Sequence, residues 1–514
     1  MNKKLLLLPS VISFIVSGTA TAGGFQVNEH SATGLGRAFA GEAVIADNAS
    51  VLARNPAAMA MFKRPAMSVG MTIIDTDVTV KNAQYQAPGA NINANFKPDS
   101  IFHFNGFAGF PGIDQDCKGQ LCKRMAATAI NGFLEKHGLE TKIAWQDIPD
   151  HISVPQLPAI PEFDIYVPKL DQSNPVDILP NTTFTPIADV SEIGPTEIVP
   201  NFYYIRPIND KWAVGIAAFS NFGTGTEFKS NYPASIFGGK TQVKSMNLGL
   251  SASYRINQYL SLGAGLDIIY GVGELYRDAG FDASLSASYN DKHYNLGKHH
   301  FGANVIDIDA TGVAFGWNVG AVYELNANHR FGVSYRHSPD LKAKGDVMIA
   351  GKDHDEITVP LPDIAEFSGY HLLTDKFAMH YSVQWIGWRD FDQVSSKDLT
   401  IKEYEWKNSW HYALGGTYYL NDTWTLRAGY MFDKSPVDEL KSISIPDSDR
   451  QWYSAGVTYH YTPNASFDFG AAYVRGEDVN VTEYLSPEMP ELGAISAVTR
   501  ANAFLMGVQF SYLF

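Results

Sequence analysis

The chain ends in Phe504-Leu505-Met506-Gly507-Val508-Gln509-Phe510-Ser511-Tyr512-Leu513-Phe514. Large apolar side chains occupy every second position of this stretch, and smaller or more polar ones such as Gly507, Gln509 and Ser511 alternate with them. A period of two predicts a β-strand with one oily face. A strand of this kind that ends on a large aromatic residue is typical of the closing strand of an outer-membrane β-barrel, because its apolar face meets lipid.

The N-terminus supports export from the cytoplasm. Lys3 and Lys4 precede an apolar stretch from Leu5 to Val16, and Ala20-Thr21-Ala22 is a small-residue cleavage site. Residues 1–22 are therefore predicted to be a signal peptide rather than a membrane anchor, since the apolar stretch is short for a spanning helix. Phe514, with Tyr512 two residues before it, also resembles the C-terminal signature that the barrel-assembly machinery reads. We expect a multi-pass protein of a Gram-negative outer membrane.

Composition excludes two other classes of protein. After Ala22 no apolar run reaches the roughly eighteen residues that a transmembrane helix needs. The formal net charge of -15 argues against nucleic acid as a partner. Aromatic residues make up 13% of the chain and glycine occurs 44 times, which suits a transmembrane barrel.

Segments with a period of two recur about fourteen times after residue 65, for example at 66–82, 212–228 and 260–277. Short turns such as Asn209-Asp210 alternate with long connections. This asymmetry predicts an all-β transmembrane fold, a fourteen-stranded antiparallel barrel over residues 65–514, with both ends on the periplasmic side. The first extracellular loop, residues 83–197, is by far the longest.

A barrel of this width needs filling, and the segment ahead of the first strand is the candidate plug. We call residues 23–64 the hatch. Within it, Asn55-Pro56-Ala57 has the chemistry of a helix start, with Asn as the N-cap and Pro at the first helical position. A simple cap and a special role in gating remain open for this motif.

Several blocks of the chain resemble the FadL/TodX family of outer-membrane transporters of long-chain fatty acids and hydrocarbons such as toluene. They are Gly24–Glu29, Gly34–Ala38, Arg54–Ala57, and Ser442–Asp447 followed by Asp449-Arg450. The resemblance implies a plugged fourteen-stranded barrel in which extracellular loops collect a hydrophobic ligand and pass it to an interior pocket. It further implies that the ligand leaves sideways at a kink in the third strand. Movement of the N-terminus would couple the pocket to this exit, and no energy source is implied.

The same resemblance suggests the residues that contact the ligand. Phe25 matches the family position near the pocket, and alternation along the strands turns Arg427, Asp433, Arg450 and Ser454 inward. Arg450 is the best candidate for binding a fatty acid carboxylate. An interior salt bridge between Arg450 and Asp433 or another acid is an equally open interpretation.

Asn221-Phe222-Gly223 matches the kink region of the family. Glycine inside a strand favours a bulge or bend at this point, although ordinary barrel glycines would give the same pattern. Cys117 and Cys122 depart from the family pattern because they lie in the extended first loop. In an exported protein such a pair predicts a disulfide rather than a metal site, and no cofactor or metal is expected.

Rival functions are weaker. His380 and Ser382 have the spacing of an outer-membrane phospholipase pair, but both are predicted to face inward, away from bilayer lipid, so an enzyme is not expected. An aqueous porin or a surface adhesin would also suit the barrel architecture. We expect a monomer whose partners are a long-chain fatty acid or hydrocarbon, outer-membrane lipid and, during biogenesis, the assembly machinery.

Overall fold

The computed structural model describes residues 24–97, 176–289, 292–397, 399–438 and 440–514, together with short pieces between residues 101 and 170. The predicted signal peptide and the two cysteines, Cys117 and Cys122, lie outside the described residues. The chain divides into two compact units. The first consists of Met1–Ala87, Thr183–Gly280 and Gly302–Phe514, and the second of Pro88–Thr182 and Phe281–Phe301.

Fourteen antiparallel strands form a closed barrel, which confirms the predicted fold class. The last strand pairs with the first from Ala66↔Leu513 to Gln86↔Ala494, and this ladder closes the wall. The strands, numbered here in chain order, are β1 (Ala66–Gln86), β2 (Glu197–Pro207), β3 (Trp212–Phe219, resuming over Gly223–Glu227), β4 (Lys240–Arg255), β5 (Leu260–Tyr289), β6 (Lys292–Asn326), β7 (His329–His337), β8 (Ile364–Thr374), β9 (Phe377–Ile386), β10 (Ser409–Tyr419), β11 (Trp424–Asp433), β12 (Arg450–Thr462), β13 (Ala465–Gly476) and β14 (Ala494–Leu513).

Side chains alternate across the wall as the sequence predicts. On β14 the side chains of Phe504, Met506 and Val508 are 39–51% exposed on the outer face. Leu505 and Gln509, at alternate positions, are at most 3% exposed and point into the bore. The apolar face of the closing strand therefore points outward, where it contacts lipid.

Two strands are much longer than predicted. The sequence favours a loop over 278–310, but β5 continues to Tyr289 and β6 already begins at Lys292. That prediction is wrong because it relied on apolar alternation. Most side chains in the first half of β6 are exposed, so hydrogen bonding alone, without an oily face, defines the strand there.

Short elements connect the barrel strands of the first unit. The extra strands are Thr185–Pro186, Leu341–Ile349, Lys352–Asp353, Ile357–Val359, Gln393–Ser396, Leu399–Glu403 and Val479–Tyr484, and the 3-10 helices are Trp388–Asp390 and Pro490–Leu492. In the described part of the chain no helix is long and apolar enough to cross a membrane.

The second unit has its own strands, and one pairing in it is parallel: Gly89 to Phe96 runs alongside Asp282 to Tyr289. The other edge of this segment pairs with Val176 to Pro180 in the antiparallel sense. The elements of the unit that lie before β5 are the strands Gly89–Lys97, Ile101–Phe104, Phe163–Tyr166, Lys169–Leu170 and Val176–Pro180, and the 3-10 helix Trp145–Asp147.

The hatch contains three short helices, each begun by a polar cap. They are α1 (Ala32–Leu35) and the 3-10 helices Ala49–Ala53 and Pro56–Met61, capped by Ser31, Asn48 and Asn55. At the third, Asn55 Oδ1 accepts from the backbone N–H of Ala57 and Pro56 occupies the first position. The Asn55 amide also donates to the carbonyl of Ala321 on β6 at 3.1 Å, so the cap ties the helix to the wall as well.

The hatch and the wall approach each other closely at glycines. A Cβ atom on Gly456 of β12 would lie 2.8 Å from the Cα atom of Gly36, nearer than side-chain carbons come to backbone. Glycine is required there because it lets the two backbones touch.

We expect Gly456→Val to unseat the hatch and to destabilise the folded protein by about 1–3 kcal/mol, the usual cost of overpacking. The measurement is protease cleavage within residues 24–64 of the folded barrel, together with its thermal unfolding. Gly302→Val is the matched control, because nothing lies within 4 Å of a Cβ atom placed on Gly302. Equal protection of the hatch in both variants would contradict this account of the contact.

Candidate functional site

The wall of the barrel is interrupted in β3. The strand stops at Phe219 and resumes at Gly223, and β2 pairs with β3 only from Phe202 to Pro207. The backbone of the hatch supplies part of what is missing. The Val27 N–H donates to the Asn221 carbonyl at 2.7 Å, and the Gly223 N–H donates to the Phe25 carbonyl at 2.8 Å.

Side chains strengthen this junction between hatch and wall. His30 Nε2 lies 2.9 Å from the Ser220 carbonyl, and the Tyr203 hydroxyl donates to the His30 carbonyl at 2.9 Å. Across the bore, Gln26 Nε2 donates to Gln384 Oε1 at 2.9 Å. The first residues of the hatch are thus held at the interruption from several sides.

Phe25 fills the centre of a fully buried aromatic group. Its ring centroid lies 4.5 Å from that of Trp388, 4.9 Å from Phe391 and 6.0 Å from Phe222 at the interruption. Gly24, with φ of +69°, leaves no room for a side chain, since a Cβ atom would sit 2.7 Å from the Trp388 ring. We call the buried apolar side chains around Phe25 the interior apolar cluster, which includes Phe222, Ile269, Leu341, Val347, Ile364, Ile386, Trp388, Phe391, Tyr404, Trp406 and Ile445.

A cationic side chain, Lys402, lies at the edge of this cluster. Its Nζ is 5.5 Å from the ring centroid of Tyr404, 2.7 Å from Glu483 and 2.8 Å from Ser442. Burial lowers the pKa of the Lys402 ammonium, and the Glu483 carboxylate opposes that effect. No sequence pattern indicated Lys402, because it lies on a short strand between two barrel strands.

A second cation, Arg277 on β5, is only 4% exposed. Its guanidinium donates to the carbonyls of Lys240 and Tyr276 and, at 2.6 Å, to the hydroxyl of Thr241. Among the described residues no carboxylate lies within ion-pair distance of it, although Tyr404 and Glu483 interact with it electrostatically. Strand alternation on β5 turns Arg277 inward, so this signal was available in the sequence.

The predicted ligand residues Arg427, Asp433, Arg450 and Ser454 all point into the bore. Arg450 and Asp433 face each other in register, as the sequence suggested, but the ion pair of Arg450 is with Asp447. Asp433 lies 3.0 Å from His411. These side chains are neighbours of the hatch. Of the predicted ligand-binding residues, Phe25 alone lies in the interior apolar cluster. A ligand contact of Arg450 therefore stays a prediction.

The hatch carries its own buried ion pairs. Arg37 contacts Glu42 at 2.6 Å and Asp47 at 2.8 Å, and Arg427 of β11 reaches the same Asp47 at 3.3 Å. Burial by itself raises the pKa of the Asp47 carboxyl, but the charges of Arg37 and Arg427 outweigh it and hold the pKa well below its usual range. Arg427 thereby fastens the hatch to the wall.

His380 and Ser382 are engaged separately. His380 Nε2 lies 2.8 Å from the hydroxyl of Thr417, and the Ser382 hydroxyl lies 2.7 Å from Ser368 and donates to Glu366 at 2.9 Å. Both side chains are buried on the inner face of β9. This arrangement serves packing between wall and hatch and does not align a histidine base with a serine nucleophile.

A closed outer-membrane barrel with a buried N-terminal segment and an apolar interior defines a plugged transport barrel. The sequence profile of the outer membrane protein transport protein family (OMPP1/FadL/TodX) matches residues 13–120 and 164–514, and the chain belongs to this family. The predicted resemblance and the outer-membrane location are confirmed. At the level of the family the chain is a transport protein and not an enzyme.

Individual relatives agree over the whole chain. The long-chain fatty acid transport protein of Salmonella typhi is 30% identical, and the alignment covers 100% of both chains. Outer membrane protein P1 of Haemophilus influenzae (strain KW20 Rd) is also 30% identical over 100% of this chain and 99% of that protein. The crystal structure of a Pseudomonas aeruginosa FadL homologue matches the fold with a TM-score of 0.64 at 18% identity, covering 96% of this chain and all of that one.

The pH should act on the hatch through Glu29. Burial raises the pKa of this carboxyl from 4.5 to about 7, against the backbone amides of Asn28 and Glu29 and the charge of Arg54. The folded protein therefore holds the Glu29 proton more tightly than the unfolded chain does. The resulting stabilisation is complete below pH 4.5 and is lost as the pH rises through about 7.

We expect hydrogen-exchange protection of residues 25–60 to weaken between pH 5 and pH 8, by at most about 3 kcal/mol. The exchange rates must be corrected for their intrinsic dependence on pH. Glu29→Gln should flatten this dependence because it removes the titrating group. The same pH dependence in wild type and variant would rule out Glu29 as its source.

Proposed function

We propose that the protein carries long-chain fatty acids across the outer membrane by passive, ligand-gated diffusion. The observation that carries the proposal is the interior apolar cluster with Arg277 and Lys402 at its edge. A long-chain fatty acid is an apolar tail with one carboxylate, so its site needs an apolar lining and a few cationic donors. Burial of the tail contributes about 0.8 kcal/mol per methylene group.

The gating follows from the position of Phe25. A tail that enters the interior apolar cluster competes with the Phe25 ring for the same space. Phe25 and Val27 also hold the interruption in β3 through backbone hydrogen bonds. Displacement of Phe25 therefore loosens those bonds, and the ligand leaves sideways into lipid near Asn221, Phe222 and Gly223.

The remaining parts have proposed roles consistent with this route. Residues 23–64 act as the hatch of a barrel formed by residues 65–514, and the loop 83–197 meets the outside. Residues 1–22 are removed on export, Cys117 and Cys122 form a disulfide, and Phe514 presents the chain to the assembly machinery. The protein works as a monomer surrounded by outer-membrane lipid. Arg450, with Asp433 and Ser454, is proposed as a later contact of the ligand carboxylate.

Uptake of aromatic hydrocarbons by the same route is the second candidate function. A hydrocarbon has no carboxylate, so it makes no use of a buried guanidinium such as that of Arg277, with which no described carboxylate forms an ion pair. The two cations at the edge of the interior apolar cluster therefore favour the fatty acid.

We expect Arg277→Gln and Lys402→Gln each to lower oleate uptake about 10–100-fold, because a charge-assisted hydrogen bond contributes about 1.5–3 kcal/mol. The measurement is uptake of labelled oleate by cells that lack every other fatty acid transporter. Lys407→Gln is the matched control, since Lys407 pairs with Asp438 and its side chain is largely exposed. If wild-type protein promotes toluene uptake and no oleate uptake, the hydrocarbon assignment replaces ours.

The sideways exit is tested at Gly223. We expect Gly223→Val to impair release, because a β-branched residue stiffens the chain where it must move, and to leave oleate binding by the purified protein unchanged. Gly225→Val is the control, as Gly225 is paired with Gln242 in the intact part of the ladder. Unaltered uptake by the Gly223 variant would remove the support for exit at this point.

A further inference from the structure

Charged residues stand on the outer face of β4 where the interruption begins. Alternation along β4 puts Lys240, Gln242 and Lys244 in the same outward series as the exposed Leu248 and Leu250. A charge on the lipid-facing side of a barrel is strongly disfavoured at the midplane of the bilayer and costs little near the interfaces. This row of polar side chains therefore lies near the upper edge of the hydrocarbon layer.

An ion pair between Lys244 and Glu197 spans the interruption. Lys244 Nζ lies 3.4 Å from Glu197 Oε1, and the two side chains are only 16% and 8% exposed. Lys244 pairs in register with Gly223, where β3 resumes, and Glu197 pairs with Ile74 of β1. The ion pair thus joins β4 to β2 at the level where β2 and β3 share no ladder.

The opposite edge of the interruption is also polar. Asn201 of β2 and Asn247 of β4 lie on either side of Phe219, where β3 stops, and are 4% and 0% exposed. In the described part of the chain neither side-chain amide has a hydrogen-bond partner, and the Asn221 amide nitrogen between them has none. Buried amides without partners are costly, so they point to a polar group that passes or binds here.

We infer that Lys244 receives the carboxylate of the departing fatty acid at the interruption, in exchange for Glu197, with the amides of Asn201, Asn221 and Asn247 as donors along the way. This inference rests on the proposed function and on the sideways exit. Glu197 neutralises Lys244 while no ligand is present. When the ligand carboxylate arrives, the ammonium changes partner, so the ligand carboxylate is paired in surroundings of low dielectric constant, and Glu197 regains Lys244 once the ligand has left.

The test compares both members of the ion pair. We expect Lys244→Gln to lower oleate uptake about ten-fold without changing the affinity of the purified protein for oleate, and Lys244→Arg to restore uptake. Glu197→Gln should keep uptake at or above the wild-type level, because it leaves the ammonium and removes its competitor. Lys240→Gln is the matched control, since Lys240 pairs with Glu274 in the same row on the intact ladder between β4 and β5.

A purely structural latch gives a different pattern, in which Lys244→Gln and Glu197→Gln break the same link and impair uptake equally. That result, or normal uptake by the Lys244→Gln variant, overturns the inference and leaves the proposed function standing. If the wild-type protein itself promotes no oleate uptake, the proposed function fails first. The heat-modifiable migration of each variant on a gel reports whether its barrel has folded, and Lys244→Arg supplies a folded variant if Lys244→Gln does not.

Discussion

Hydrocarbon offers no hydrogen bonds, so every backbone N–H and C=O group in the wall must find its partner within the protein. Thirteen of the fourteen strands are unbroken, and the ladder between β1 and β14 closes the wall. The break in β3 is the exception, and there the backbone of Phe25 and Val27 supplies part of the missing pairing. The pairing of the wall at β3 therefore depends on the position of the hatch.

This constraint connects the interior with the lipid. Phe25 belongs at once to the interior apolar cluster, through its ring, and to the wall, through its carbonyl. A ligand shifts a conformational equilibrium only as far as its affinities for the two states differ. If the tail binds only after the Phe25 ring has moved, its affinity is higher for the displaced state than for the resting state. Binding of the ligand then favours the displaced state without an additional energy source.

The elements that were well predicted from the sequence are those that the membrane itself specifies. The period of two on β14 and the inward side of Arg427 and Asp433 follow from local alternation against lipid. Where no lipid acts, as in the extension of β5 and β6, the pattern disappears although the strands continue. The place of Lys402 beside Glu483 depends on how loops return to the barrel, which no local pattern records. Asp447, by contrast, is only three residues before its ion-pair partner Arg450. The glycines near Gly223 indicated a bend, but the departure of residues 220–222 from the ladder depends on a partner almost 200 residues away in the chain.

A charged group on the proposed route, like a backbone N–H or C=O group, needs a partner within the protein. A carboxylate that leaves Arg277 and Lys402 has to cross surroundings in which an unpaired ion is strongly disfavoured. The wall is polar where the ladder between β2 and β3 is missing, with Lys244 and Glu197 above. Below them lie Asn201 and Asn247, whose amides have no hydrogen-bond partner among the described residues. Passage of a charged group would give these side chains a partner, and a fatty acid brings such a group whereas a hydrocarbon does not.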